Sequence, residues 1–359
     1  MKSDSENMAM RFLRNLLLPF VPAYAGIVKL RNFLFDAGIF KSGRANSAIV
    51  SVGNLAVGGT GKTPLVIYVI NLLKQKGLNA GALSRGYGRK TKGYLLVSDG
   101  KEIKTNVENC GDEMYQTVME CSIPAAVSEN RVKGANRLVK ECGVKVIVLD
   151  DAFQHRWIHR DVNLLIMEQK FLLNETYLNS LLLPTGNLRE GFSSVKRADA
   201  VIINRKFSGK EELPEKYARY FTGKPIFYAK YKSIEFIDVK THSSYPIKEF
   251  EGQKSLVVCG VANPFSFLNA LKQSNISTLH NLIFKDHKDY TEKEVQKIRK
   301  EFYNINAHSV VTTHKDAVKL AQYSRQLDDI DIYYLRIEME FDNKEEFDGF
   351  VIKKINNCS

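Results

Sequence analysis

Residues 48–75 read AIVSVGNLAVGGTGKTPLVIYVINLLKQ, and this stretch decides the fold. Ala48 to Gly53 is a short, nearly unbroken apolar run, the pattern of a strand buried on both faces. Pro64 suits a first helical turn, and apolar residues at Leu65, Ile67, Tyr68, Ile70 and Leu73 carry a helix on to Gly77. Strand, glycine-rich loop, Lys-Thr and helix make a phosphate-binding loop in its required setting. Gly58, Gly59, Thr60 and Gly61 let backbone N–H groups converge on phosphate oxygens, Lys62 supplies a point charge, and the Thr63 hydroxyl is a ligand for Mg²⁺. The chain is therefore expected to bind ATP with Mg²⁺. One departure stands at Ala56, where the usual pattern has glycine.

A phosphate loop needs an acid at the end of a neighbouring strand. Val144 to Leu149 is such a strand and ends in Asp150-Asp151, where parallel α/β sheets place their ligands. Either aspartate suits Mg²⁺. Gly111-Asp112-Glu113 opens a helical pattern, so Asp112 reads as a helix cap or as a functional acid. Ser84 to Lys90 joins Arg85 and Arg89 with a tyrosine and two glycines, a flexible loop fit to grip an anion. The turn-rich Leu183 to Glu190 carries a paired cation and anion, Arg189 and Glu190.

The charge of the chain is uneven. Its 359 residues hold 52 Lys+Arg and 40 Asp+Glu, a net charge of +12, and residues 1–98 alone contribute +11. Ala37 to Ser98 contains no acid. An excess of this kind calls for anionic partners such as phosphate, nucleic acid or a membrane surface. Five cysteines without a C-x-x-C pair argue against disulfides and structural zinc and for a reducing, cytosolic compartment. The apolar, basic segment 8–40 is interrupted by Pro19 and Pro22, too short between charges to span a bilayer, and has no cleavage site of a signal peptide. It reads either as an interfacial segment, with Phe12, Leu13, Leu16, Leu17 and Phe20 facing lipid, or as two helices packed on the domain.

These motifs together resemble the tetraacyldisaccharide 4′-kinases of lipid A biosynthesis over nearly the whole length. The resemblance rests on Val52-Gly53-Asn54 leading into Gly58 to Pro64, on Ser84 to Arg89, on Gly111-Asp112-Glu113 and on Leu149 to His155. It continues through Leu182-Leu183-Pro184 to Leu188-Arg189-Glu190, Asn263-Pro264-Phe265, Asp286-His287 and Thr313 with Lys315-Asp316-Ala317. It implies MgATP-dependent phosphorylation of the 4′-hydroxyl of an acylated glucosamine disaccharide 1-phosphate, by a monomer held peripherally on the cytoplasmic face of the inner membrane. Asp112 then serves as base, supported by His287. Asp150, Asp151 and Glu190 join Thr63 around Mg²⁺, and Arg85, Arg89, Gln154, His155, Asn187 and Arg189 contact substrate. Two positions depart from the family: Lys288 follows His287 where a second histidine is common, and His314 stands where glutamate is common. With this resemblance the membrane-facing reading of the amino terminus is preferred. Nucleic acid is not expected as a partner, because no groove-like run of basic residues interleaved with stacking aromatics occurs. A nucleic-acid-dependent ATPase and a nucleotide-switched membrane adaptor are the rival readings.

Strands near 48–53, 80–84, 125–128, 145–150, 162–167 and 199–204, separated by helical patterns, predict a P-loop NTPase-like α/β unit with a parallel sheet and helices on both faces. The expected divisions are a membrane-associating segment 1–40, a kinase unit 41–225, and residues 226–359 as linker strands with a second, smaller α/β unit. In the latter, Thr291 and Glu294 form a capping pair and 330–341 returns as a strand toward the linker.

Overall fold

The computed structural model describes residues 14–174, 176–286 and 288–357. In chain order the principal elements begin with helix α1 (Val21–Asp36), β1 (Ala48–Gly53), α2 (Lys62–Gln75), β2 (Ala80–Ser84), β3 (Leu95–Asp99), α3 (Asp112–Cys121) and β4 (Pro124–Val127). They continue as α4 (Arg131–Cys142), β5 (Val146–Leu149), β6 (Val162–Glu168), β7 (Ala200–Asn204), β8 (Ile226–Asp238), β9 (Ser244–Tyr245) and β10 (Ser255–Cys259). The last are α5 (Pro264–Gln273), β11 (Asn281–Ile283), α6 (Glu292–Asn304), β12 (Ser309–Thr313), α7 (His314–Leu320), β13 (Ile332–Phe341) and α8 (Lys344–Asn356).

The strands of both halves of the chain hydrogen-bond into one sheet, in the order β11-β10-β12-β13-β8-β7-β6-β1-β5-β2-β4-β3, with β9 on β8. Most pairs are parallel. The join between halves is antiparallel, β13 against β8, with a register shift between Arg336 and Ile337. Strand β1 lies between β5 and β6 and is buried from Ile49 onward, as a near-continuous apolar run requires.

Helices cover both faces. Against β1 pack Leu65, Val69 and Leu73 of α2 with Met114 and Val118 of α3, and the same cluster takes in Phe347, Val351 and Ile355 of α8. The opposite face receives Ala135 and Leu138 of α4. In the second half, Val295, Ile298 and Phe302 of α6 lie on one side and Phe267, Ala270 and Leu271 of α5 on the other. Helix α6 starts with the expected capping box of Thr291 and Glu294.

Helix α1 is different. Of its residues only Phe35 is buried, while Ile27, Leu30 and Phe33, with Leu16 and Phe20 just before it, are exposed. It is held by polar contacts: Tyr24 donates to the Arg189 carbonyl at 3.1 Å, Arg31 pairs with Glu190, and Arg156 pairs with Asp36 at 2.7 Å. Arg14 donates to the Thr185 carbonyl at 2.7 Å. Among the described residues no helix is long and apolar enough to cross a membrane.

Candidate active site

The phosphate loop is braced from every side. Asn54 is fully buried and donates to the Thr60 hydroxyl at 2.8 Å, while Gln154 donates to the Asn54 carbonyl at 2.7 Å. The Val57 N–H reaches the Asn187 carbonyl at 2.7 Å, and the Arg189 N–H reaches the Leu55 carbonyl at 2.7 Å. Ala56 explains its own departure from the motif. It forms a β-bridge with Leu188 and is buried beside it, an extended backbone that needs no glycine. Gly58 and Gly61 do need to be glycine, at φ of 105° and 101°. At Gly61 a Cβ would stand 2.2 Å from Asn204 Nδ2 and 2.4 Å from the Tyr231 hydroxyl, so two constraints exclude a side chain there. Asn204 also donates to the Thr60 carbonyl at 2.9 Å.

Beside the loop, β5 delivers its two aspartates into different surroundings. Asp151 faces Lys62 at 3.7 Å and both its oxygens accept from the Arg189 guanidinium at 2.8 Å. Burial works against its ionised form, but Lys62 and Arg189 outweigh it and hold the carboxyl below the usual carboxylate range. Its φ of 50° lies in the left-handed region that aspartate tolerates better than most residues. Asp150 is buried with one oxygen lacking any hydrogen-bond partner. Burial first, then the charges of Glu113 and Asp151, raise its carboxyl well above the ordinary range against the pull of Lys62. A buried carboxylate oxygen without a donor, next to a phosphate-loop lysine, fits a cation. Among the described residues no cluster of three or more His, Cys, Asp or Glu side chains forms a metal cage. Mg²⁺ is usually held by one or two carboxylates together with phosphate oxygens and water, and Asp150 and Asp151 offer two.

A cleft of about 560 Å³ opens over the loop. Gly58 to Pro64, Glu113, Asp151 and Arg189 line one side; Val261, Phe267, Asp286, Thr313 and Lys315 come from the second half. Asp112 is buried at the start of α3 and meets two lysines of α7, Lys319 at 3.1 Å and Lys315 at 3.7 Å. Lys315 is shared with Glu113 at 3.7 Å and Asp286 at 3.9 Å.

The structure thus gathers Gly58, Gly59, Thr60, Gly61, Lys62, Thr63, Asp150, Asp151 and Arg189 around the loop, with Asp112 beside the cleft-lining Glu113 and Lys315. Arg85 is exposed at the end of β2. His155 is depressed to about 4 by burial and then by Arg131, Arg160, Arg85 and Arg31, the electrostatic mark of an anion-attracting surface. Asn187 and Gln154 touch the loop itself, through a backbone carbonyl and a side-chain amide respectively. His287 lies outside the described residues.

Two expectations need correcting. Arg89 is turned into its own loop, donating to the Gly93 carbonyl at 2.6 Å and pairing with Glu129, so it shapes the loop instead of presenting a fork to a ligand. Glu190 does not join the metal-side carboxylates. It is fully buried, and its two oxygens are taken by Arg31 of α1 and by Arg197. Leu188 and Arg189 run strand-fashion against Leu55 and Ala56, and successive side chains of such a run point to opposite sides. Arg189 therefore faces Asp151, and Glu190 faces away.

Residue reading overlooked Asn204, Lys206, Tyr231 and Lys319. Asn204 ends a fully buried strand, the place where α/β sheets put ligand-side groups, and that position was its signal. Lys206, which lines the cleft and pairs with Glu168 at 3.0 Å, follows two residues later. Tyr231 and Lys319 carry no local signal.

A family model described as tetraacyldisaccharide-1-P 4′-kinase matches residues 13–356. The chain belongs to that family. Among its similar relatives, the tetraacyldisaccharide 4′-kinase of Flavobacterium psychrophilum is 33% identical, covering 98% of this chain and 99% of the relative. The tetraacyldisaccharide 4′-kinase of Chlorobaculum parvum is 35% identical over 95% of each chain. A crystal structure of LpxK from Aquifex aeolicus in complex with ATP superposes with a TM-score of 0.78 at 31% identity, covering 96% of this chain and 99% of that one. The likeness to that structure runs over essentially the full length and is not confined to the phosphate loop.

Proposed function

We propose that this kinase transfers the γ-phosphoryl group of MgATP to the 4′-hydroxyl of a tetraacylated glucosamine disaccharide 1-phosphate, the step of lipid A biosynthesis that yields the 4′-phosphorylated product. The observation that carries the mechanism is the shared cleft: the phosphate loop, Asp151 and Asp112's lysine partner Lys315 converge on it from both halves of the chain. Gly58 to Gly61 hold the phosphates through backbone N–H groups, and Lys62 and Arg189 neutralise charge that develops on them. Thr63, Asp150 and Asp151 are the residues that would hold Mg²⁺, which when bound offsets charge on the β- and γ-phosphate oxygens. Asp112 accepts the proton of the acceptor hydroxyl, with His287 assigned to its support. Arg85, with the arginines around His155, draws in the anionic acceptor. Radiolabel transfer from γ-labelled ATP to the purified disaccharide 1-phosphate in detergent tests this reading. Label is expected in the lipid only when the 4′-hydroxyl is free. ATP turnover indifferent to the acceptor would overturn it.

The acceptor is a lipid, so we place the kinase, as a peripheral monomer, on the cytoplasmic face of the inner membrane. Support comes from the exposed apolar row of Leu16, Phe20, Ile27, Leu30 and Phe33 with Lys29 beside it, a pattern that suits an anionic lipid boundary. Replacing Phe20, Ile27, Leu30 and Phe33 by serine is expected to weaken sedimentation with anionic vesicles by about tenfold or more. Unchanged binding would leave the row as ordinary surface.

A further inference from the structure

The contact between α3 and α7 is an ion-pair seam between the halves of the chain, and Lys319 stands at its centre. Its ammonium lies 3.1 Å from Asp112 Oδ2 and also donates to the Lys288 carbonyl at 3.2 Å. The side chains of Lys319 and Asp112 are only 12% and 4% exposed. Helix α7 is a firm support for this reach. One turn before Lys319, the buried Asp316 accepts from the Gly260 N–H at 2.9 Å, the Tyr290 hydroxyl at 3.0 Å and the Thr313 hydroxyl at 2.7 Å, which fixes the first turn of the helix. Lys315 is farther from Asp112 and divided among three carboxylates.

We infer that Lys319 is a positioning residue for phosphoryl transfer: it keeps Asp112 an ionised proton acceptor and ties it to the segment at Lys288, and it acts through Asp112 and not on the phosphates. This rests on the reading of Asp112 as base. Among the described residues, the charged and titratable groups that face Asp112 include Lys315 and Lys319 from α7, Glu113 on its own helix and the preceding Cys110 thiol, with Asp286 beyond Lys315 and Asp316 beyond Lys319. Without Lys319 the cation left to Asp112 is Lys315, which is farther away and shared with Glu113 and Asp286, so the buried carboxylate loses its nearest counter-charge.

The test compares K319M, K319R, D112N and the double variant D112N/K319M by kcat, KM for ATP and the pH dependence of kcat, using full-length protein and purified acceptor. K319M is expected to lose about 10- to 100-fold in kcat at neutral pH with KM for ATP changed less than about twofold. Its kcat climbs as pH rises where the wild type is flat. K319R recovers most of the loss, and D112N/K319M is no slower than D112N. If K319M fails to fold, K319Q keeps a hydrogen-bonding side chain without the charge and carries the same comparison. K319 variants with wild-type kcat and pH profile, or a double variant much slower than D112N, overturn the role of Lys319 alone. A D112N enzyme with near wild-type kcat overturns the base assignment itself, and this inference with it.

Discussion

Asp112→Asn is expected to lower kcat for phosphoryl transfer by about 10²- to 10⁴-fold while leaving KM for ATP close to that of the wild type. The amide keeps the shape of the carboxylate and removes the capacity to accept a proton from the acceptor hydroxyl. It also removes the charge that meets Lys319 and Lys315, so two partly shielded lysines lose a partner, Lys315 keeping Glu113 and Asp286. That second effect falls on the seam between α3 and α7 and not on the phosphate loop, whose braces are Asn54, Gln154, Asn187 and Asn204. The measurement is label transfer from ATP to the lipid acceptor under saturating ATP. Loss of ATP affinity without loss of kcat would place Asp112 among the nucleotide contacts instead.

Lys62→Ala is expected to cost about 10³-fold or more in kcat/KM for ATP, because the lysine opposes charge both in the bound phosphates and in the transition state. Its ammonium lies 3.7 Å from Asp151, which also holds the Arg189 guanidinium. Removing Lys62 leaves Asp151 the Arg189 Nη1 group that reaches both its oxygens, so a general collapse of the site is not expected. Thermal unfolding of the variant without ligand is expected near the wild-type midpoint, with the ATP-induced rise strongly reduced. A variant with the normal ATP-induced shift and normal turnover would remove Lys62 from the mechanism.

Much of the first half was legible because its signals are local. The apolar runs at 48–53, 146–149 and 200–204 are parallel strands buried along all or nearly all of their length, and runs of that kind announce themselves. Strand β3 escaped notice: it pairs antiparallel to β4 at one end of the sheet, is only partly buried, and lies between loops without a helix before it. The three-residue β11 lies at the other end and is largely exposed. The return of 330–341 toward the linker was legible as a strand, and it pairs antiparallel with β8; what no local pattern encoded was that this pairing, between partners roughly a hundred residues apart, merges the two halves into one continuous sheet.

The same division holds in the site. The phosphate loop and Asp150-Asp151 are motifs of consecutive residues at the ends of buried strands. Glu190 was misplaced because a motif states that two residues are neighbours and not which side each faces. The Lys319 contact with Asp112 depends on where α7 lies in three dimensions, and a lysine in the last turn of a short helix looks like any solvated one.

The route of the final residues bears on how the molecule is made. Met339 and Phe341 of β13 and Phe347, Val351 and Ile355 of α8 fill the same core as Val50 and Val52 of β1 and Leu65 of α2. A nascent chain that has already displayed its complete phosphate loop still lacks the side chains that close the hydrophobic interior beneath it. Domains emerging from the ribosome generally fold as units, amino-terminal first. Here the core shared by β1 and α2 is complete only once β13 and α8 have emerged, so its full packing is expected well after the phosphate loop itself has been made.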